Sequence, residues 1–414
     1  MAVNFRNRIL KWRPGAYLRS SGRLFAWLSF RVAAQAAIVV LLARKLGAHD
    51  YGAFVTIIAI ASFLSPFIGL GLSNMVLRHG PKDPEHMAVY VGRAVKWWNL
   101  TLVPGIVSTI LIVFLLLPDG LPRLAAFAMI LAEFVGSSLT ELSARCKQSE
   151  GKTGTYGAIS AGLPLVRLCA LGGLFIASGS PGIGAVLWTY TGCTLAYAVY
   201  LYMPLRAGSR NGLGLEPMPA TSGLPFSLAA LAVRLQQEFN KPVLAHLGFG
   251  FAGTYNVAQR AVDLAALPLV VLQESLWPRL YAQQNPTPQL RRTGLTLLGL
   301  ALVGGAVLWT AAPLIPLVLG QSFHSAANVM RTLAWLPLLQ VLRGLVNFRA
   351  IHAGRMLLIG WAYGVGAALN IALVTGLVPR WGLEGAVAAA YATEAATTSV
   401  IVLGSRLTRS PTAG

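Results

Sequence analysis

About twelve apolar stretches, each some twenty residues long, divide this chain from end to end, and each is long enough to cross the ~30 Å hydrocarbon core of a bilayer. They run roughly over 24–43, 53–77, 97–118, 121–144, 156–178 and 182–204, then 224–247, 251–276, 293–319, 326–348, 356–379 and 383–404. Only 11% of the 414 residues are charged and 55% are hydrophobic, with a mean hydropathy of +0.63. A soluble domain carries roughly 25% charged residues. So much apolar surface cannot be hidden in one water-soluble core, and the chain reads as a polytopic membrane protein. Every loop is short, which leaves no room for a hidden soluble domain.

The charge pattern orients the spans. The net charge is +20 and the isoelectric point near 10.6, values that also fit a nucleic-acid binder. The basic residues flank apolar spans instead of forming a patch, however, and that class is set aside. With the first tail cytoplasmic, the even gaps hold Arg78, Lys82, Arg93 and Lys96; Arg145, Lys147 and Lys152; Arg206 and Arg210; Arg279, Arg291 and Arg292; and Arg349 and Arg355. Arg406 and Arg409 follow in the last tail, while the other side has Arg44, Lys45, Arg123 and Arg380. By the positive-inside rule both termini are cytoplasmic. The lead-in with Arg6, Arg8, Lys11, Arg13, Arg19 and Arg23 is read as a cytoplasmic tail, because the apolar run behind it is interrupted by Arg31 and lacks a clear cleavage site.

The first hairpin, Arg23 to Arg78, is the unit that recurs. LARKLG at Leu42–Gly47 returns as LAHLG at Leu244–Gly248, followed by the Tyr51-Gly52 and Gly253-Thr254-Tyr255 turns. GAVLWTY at Gly184–Tyr190 returns as GAVAAAY at Gly385–Tyr391 at nearly the same offset, about 200 residues. Gly, Ala and Leu are common in membrane helices, but matching offset and span order favour duplication of a six-span unit. An even span number gives both copies the same orientation, so they are parallel repeats about an axis along the membrane normal. The expected organisation is a tail (1–23), an N-lobe (24–204), a cytoplasmic linker (205–223), a C-lobe (224–404) and a tail (405–414). The fold class is all-α, with about twelve transmembrane helices in two six-helix lobes around a central cavity.

Ionisable residues inside spans are expensive in lipid, ~3 kcal/mol for a central Arg or Asp even on insertion-derived scales. Arg31 and Gln35 share one face of the first span. Arg234, Glu238 and Lys241 share a face of the seventh with Ser227 and Gln237; Asn256, Arg260 and Asp263 repeat that spacing in the eighth; and Glu133, Ser137 and Glu141 line one face of the fourth. Arg167, Arg331, Arg343, Glu274 and Glu394 complete the set. One arrangement turns these faces toward a shared aqueous cavity. The other pairs Arg234 with Glu238 and Arg260 with Asp263 inside their own helices, as mutual neutralisation only. Arg31, Arg167, Arg331 and Arg343 have no acid at helical spacing, which makes the cavity net cationic. A guanidinium fork suits phosphate oxygens, so the expected cargo is anionic, a phosphate or diphosphate headgroup.

Other patterns carry no chemistry. GKTG at Gly151–Gly154 lacks the leading glycine of a phosphate loop, because Cys146 stands there. His49, His79, His86, His246, His324 and His352 are scattered, so no metal or catalytic set forms. Cys146, Cys169 and Cys193 are expected as small buried packing residues. Trp97, Trp98, Tyr200, Tyr202 and Trp277 are expected in the interfacial aromatic belts.

The opening LLARKLGAHDYGAFVTIIAIASFLSPFIGLGLSNMVLR resembles the first hairpin of the polysaccharide-biosynthesis flippases. These are the Wzx-type O-antigen and exopolysaccharide transporters of the multidrug/oligosaccharidyl-lipid/polysaccharide exporter superfamily. EFNKPVLAHLGFGFAGTYNVAQRAVDL resembles that family's second diagnostic stretch, with Lys241, Gly253 and Tyr255 in place and Asn240 where an Asp often stands. The resemblance implies alternating-access translocation of a polyprenyl-diphosphate-linked saccharide across a bacterial inner membrane, with no catalytic residues, metal or cofactor. It implies that the diphosphate docks on Arg31, Arg260 and Arg234, and that Gln35, Arg167, Lys241, Asn256 and Arg331 line the cavity. Related peptidoglycan-precursor flippases carry cavity arginines in the first, second and eighth spans. Arg31 and Arg260 fill two of those roles, and the third is empty or met by Arg44. Glu238, Asp263 and Glu133 are the candidates for proton or Na⁺ coupling, and the polysaccharide polymerase or ligase machinery is a candidate partner. The rival readings are a drug or cation antiporter of the same superfamily and a membrane polymerase or ligase.

Overall fold

The computed structural model describes residues 16–118, 120–209, 223–281 and 287–407. Among them, every regular element is helical. In chain order the α-helices are α1 (Ala16–Leu64), α2 (Leu72–His79), α3 (Met87–Leu116), α4 (Arg123–Ser149), α5 (Thr153–Ser178), α6 (Ile183–Ser209), α7 (Leu224–Glu238), α8 (Asn240–Leu247), α9 (Phe249–Tyr281), α10 (Thr287–Ala311), α11 (Leu314–Leu319), α12 (His324–Leu333), α13 (Leu336–His352) and α14 (Met356–Leu407). In lipid each backbone N–H and C=O must be satisfied within the segment, and helices do this locally.

Two elements are too long for a single crossing. The 49 residues of α1 would extend about 74 Å as one straight helix, more than twice a hydrocarbon core. Gly47 breaks α1 at φ 73° and Gly382 breaks α14 at φ 53°. The Leu377 carbonyl lies 2.5 Å from where a Gly385 side chain would begin, so α14 folds back on itself. Each element therefore holds two of the expected spans. These glycines have partners in the other half of the chain: Gly47 and Gly248, Gly120 and Gly320, Gly151 and Gly354, Gly179 and Gly382 all have positive φ and pair at an offset of about 200 residues. A Cβ is penalised in that backbone region and glycine is not, so the repeat survives best at the turns.

Spans two, seven, nine and ten are not single helices, contrary to expectation. Span seven breaks at Phe239, between α7 and α8. Pro242 has no N–H for the Glu238 carbonyl four residues back. The ninth breaks around Pro313 and the tenth around Trp335-Leu336-Pro337. The second is interrupted by a 3₁₀ turn at Ser65–Phe67 and a left-handed stretch, and resumes as α2.

Small residues let the helices approach closely within and between the lobes. Gly157 lies against Trp27, Gly162 against Tyr197, and Gly136 against Thr194. Between the lobes, a side chain on Gly52 would begin 1.7 Å from the Phe249 carbonyl, and one on Gly253 would begin 2.3 Å from that of Ala48. This contact closes one membrane face. The opposite one, here the basic face, carries the loops with Arg78–Lys96, Arg145–Lys152 and Arg349–Arg355. In its first loop Asp83 accepts hydrogen bonds from the His86 ring (2.8 Å) and the Tyr90 hydroxyl (3.1 Å). The His86 bond is the main reason its carboxyl is held below the usual carboxylate range.

The outer surface is apolar. Ile176 is 88% exposed, Leu357 84% and Leu317 76%, a pattern that suits lipid and not water. Cys169 lies exposed on this surface and Cys193 is half-buried, so of the three thiols only Cys146 is the buried packing residue expected. Trp98 is buried and donates to Ser138 Oγ (2.8 Å), so it is a packing residue and not a belt aromatic. Tyr200 is exposed as a belt residue would be. The side chains of Glu274 and Trp277, and the greater part of the expected linker and both tails, lie outside the described residues.

Candidate functional site

The central charge cluster sits at the junction of α7 and α8. Glu238 ends α7 and Lys241 sits in the first turn of α8; the two form an ion pair with side chains 6% and 1% exposed. Arg260 of α9 reaches the same carboxylate, Nη2 to Oε1 at 3.3 Å, and its Nη1 lies 3.8 Å from Asp263 Oδ2. Two cations and two anions thus form one neutral chain across α7, α8 and α9. A lone charge at the buried Glu238 or Lys241 would be prohibitive, and each has the other as partner, while Arg260 and Asp263 remain partly exposed. The expected Arg234–Glu238 neutralisation inside α7 does not form; Glu238 turns to Lys241 and Arg260 instead.

Arg31 and Arg234 make no ion pair with this cluster. Arg31 is half-buried and Arg234 exposed, and among the described residues no carboxylate lies within salt-bridge reach of either. Arg31 is about 24 Å along α1 from Gly47, and Arg260 about 17 Å along α9 from Phe249. Both therefore lie well inside the bilayer, on helices that pack against each other. Gln35 is exposed one turn above Arg31.

Several expected cavity residues are placed elsewhere. Arg167 donates from Nη2 to Glu133 Oε2 (2.6 Å) and from Nε to Thr194 Oγ1 (3.0 Å), and its guanidinium lies 4.3 Å from the Tyr190 ring centroid. Tyr190 Oη donates to the same Glu133 oxygen at 2.6 Å. This network ties α4, α5 and α6 together in the N-lobe interior, so Arg167 does not line an open cavity. Lys241 is enclosed in the charge cluster. Asn256 is 3% exposed and donates to the Tyr51 hydroxyl at 2.6 Å, so it serves the contact between lobes. Arg331 lies over the Trp309 ring at 5.4 Å, with its buried Nε unpartnered.

The C-lobe encloses a cavity of about 110 Å³ lined by Asn240, Gln259, Asp263, Gln340, Thr393 and Glu394, among others. Asn240 Oδ1, Gln259 Oε1 and Glu394 Oε2 have no hydrogen-bond partner. The other Glu394 oxygen forms an ion pair with Arg343 at 2.9 Å. A polar cavity with spare acceptors suits water or a bound donor. Asp263 is the one ion-coupling candidate that lines it. Gln259 was missed at the sequence level, because isolated amides have no spacing signature; its one signal was a polar side chain inside an apolar span.

Comparison with known proteins identifies the class. The sequence profile described as polysaccharide biosynthesis protein matches residues 29–284, more than half of the chain. No curated protein is significantly similar in sequence. Among solved structures, the lipid II flippase MurJ in an inward closed conformation superposes with a TM-score of 0.70 at 11% identity, covering 94% of this chain and 87% of that one. An inward-facing multidrug-resistance MATE transporter of the MOP superfamily gives 0.65 at 14% identity, covering 93% and 97%. A Vibrio cholerae MATE transporter gives 0.58 at 15%, covering 95% and 98%. At these identities the structural likeness shows the fold, a two-lobed all-helical membrane architecture shared with transporters. The sequence match shows the family: this multi-pass membrane protein belongs to the polysaccharide biosynthesis proteins.

Proposed function

We propose that the protein is a flippase that carries a polyprenyl-diphosphate-linked saccharide from the cytoplasmic to the periplasmic leaflet of a bacterial inner membrane. Its product would feed a cell-surface polysaccharide such as O-antigen or exopolysaccharide. The observation that carries this reading is the pair Arg31 and Arg234, intramembrane guanidinium groups with no carboxylate in reach, in a member of a polysaccharide biosynthesis family. Guanidinium groups bind phosphate oxygens bidentately. Arg260 joins them at the price of exchanging its contacts with Glu238 and Asp263 for the diphosphate. The sugars fill the aqueous space between the lobes while the prenyl chain stays in lipid, and rocking of the lobes moves the headgroup. A potential negative inside favours outward movement of an anionic head by ~2.3 kcal/mol per charge per 100 mV. Of the coupling candidates, Asp263 is retained, because Glu133 and Glu238 are each held by closer cationic partners.

One feature favours a second reading, export of a small cation or drug: the acceptor-rich C-lobe cavity with its unpartnered Glu394 oxygen. A deletion strain separates the readings when its lipid-linked saccharides are extracted and probed from the periplasmic side. Diphosphate-linked oligosaccharide held on the cytoplasmic side, with surface polysaccharide lost, supports the flippase. Normal pools with normal surface sugar support the exporter, and short unpolymerised saccharide at the surface points to a polymerase or ligase.

A further inference from the structure

The two lobes repeat in sequence, yet their spans do not break alike: the seventh, ninth and tenth are interrupted where the first, third and fourth run through, and the second is interrupted where the eighth runs through. In the second span the chain leaves the helix at Ser65 and passes through Gly69 (φ 77°), Leu70 (φ 50°) and Gly71 (φ 67°) before α2 begins. Leu70 is the only non-glycine residue with positive φ among the described residues, and such a conformation is costly for a branched side chain. The corresponding stretch of the eighth span also carries a proline, Pro268, yet α9 continues without a break to Tyr281. A proline in this region is therefore not enough to break the helix. What differs is that the eighth span has no glycine between Ala265 and Ser275, where the second has Gly69 and Gly71.

The broken segment is satisfied locally and held by neutral contacts. Leu70 N donates to Phe67 O and Leu72 N to Gly69 O, both at 3.0 Å. Gly69 N donates to Thr101 Oγ1 at 2.8 Å, and Ser65 Oγ lies 3.0 Å from Ser137 Oγ. Beside it is a cavity of about 60 Å³ between the lobes, lined by Asn74, Trp98, Glu141 and Ser227 among others.

Across that cavity the segment meets the start of α7 backbone to backbone. A side chain on Gly223 would begin 2.1 Å from the Leu70 carbonyl, and one on Gly71 would begin 2.5 Å from the Gly223 carbonyl. Ser227 Oγ donates to the Pro66 carbonyl at 2.6 Å. This is the counterpart, on the basic face, of the Gly52–Phe249 contact on the other face, so the lobes touch backbone to backbone near both faces.

We propose that Ser65–Gly71 is the hinge of the gate on the basic face, and that the apposition of Leu70-Gly71 with Gly223 is its latch. The gate opens by movement of the N-lobe's second span, while its C-lobe counterpart α9 stays a continuous helix. The two faces thus open by different means: the glycine-glycine contact at the far face by separation of whole helices, the basic face by a bend within one helix. This rests on the alternating-access reading but not on the identity of the cargo.

Gly223→Ala tests it directly, because Gly223 has φ −87°, which alanine adopts freely, so the new methyl acts on the facing Leu70–Leu72 backbone and not on its own. The probe is Ser227→Cys, at a position 2% exposed, in full-length protein with Cys146, Cys169 and Cys193 replaced by alanine. Inverted vesicles are treated with a membrane-impermeant maleimide, with no cargo added. Gly223→Ala should raise the labelling rate at least tenfold over the parent. A second variant, Gly69→Val with Gly71→Gln, removes both glycines, as the eighth span does, and should do the same by straightening the helix. Labelling within twofold of the parent in whichever variants remain monodisperse overturns the latch. Labelling of the parent faster from the opposite face than from the basic face overturns the assignment of the gate on its own. Loss of polysaccharide export with unchanged labelling would concern the cargo reading instead.

Discussion

Asn256 Nδ2 donates a 2.6 Å hydrogen bond to the Tyr51 hydroxyl, joining residues 205 positions apart and one lobe to the other. Both side chains are buried, and each lies within three residues of the tight glycine contact of its own lobe's turn, Tyr51 just before Gly52 and Asn256 after Gly253. The Tyr51 ring also meets Phe323 edge-on at 6.1 Å. Tyr51→Phe keeps that packing but strands the Asn256 amide, a loss of about 1–3 kcal/mol. The melting temperature in detergent should fall by a few degrees, with a gain in cysteine accessibility at the face opposite the basic loops. An unchanged melt would mean that the bond is not formed in the dominant state.

Gly52→Ala attacks the same face sterically. The added methyl would fall 1.7 Å from the Phe249 carbonyl, on backbone and not on a flexible side chain. The lobes cannot close there, so transport should be lost while the helical content by circular dichroism is retained. Wild-type transport in this variant would show that closure of this face is not required.

The N-lobe tie of Glu133, Arg167 and Tyr190 calls for a double-mutant cycle. Arg167→Met strands a buried carboxylate, and Glu133→Gln leaves a buried guanidinium short of its anion; breaking one side of such a pair costs ~3–5 kcal/mol. The double variant should be more stable than the sum of the two singles by at least ~1 kcal/mol, measured by denaturant or thermal unfolding in detergent. Strict additivity would argue that the pair is not coupled.

Arg31→Ala and Arg234→Ala remove guanidinium groups that hold no carboxylate. Each should cut rescue of surface polysaccharide in a deletion strain by tenfold or more with the melting temperature unchanged. Arg260→Ala should reduce both rescue and stability, because Glu238 and Asp263 lose a partner. Full rescue by the Arg31→Ala, Arg234→Ala double variant would remove both from the docking site.

Legibility from sequence varied with the range of the interaction. The duplication and the twelve crossings rest on composition and local pattern, and Gly47, Gly248, Gly179 and Gly382 turn where the repeat places them. The partners of the intramembrane charges were legible only in part: Arg260 pairs with Asp263 inside α9, as their spacing suggests. Helical spacing offers Glu238 both Arg234 and Lys241, and the side chain pairs with Lys241 and, across to α9, with Arg260. Arg167 and Glu133 lie 34 residues apart on different helices, and nothing along the chain joins them.

What the sequence by itself determined is that this chain lives in a bilayer, crosses it about twelve times and does so in two equivalent halves, since hydrocarbon thickness and backbone satisfaction act on each segment alone. What only the tertiary structure decided is which charges are used up and which stay free. Pairing depends on how helices are rotated and broken against one another, and a single proline or a pair of glycines changes that rotation. Arg31 and Arg234 are left without an acid, Arg167 is enclosed with Glu133, and the second span bends where its counterpart runs straight.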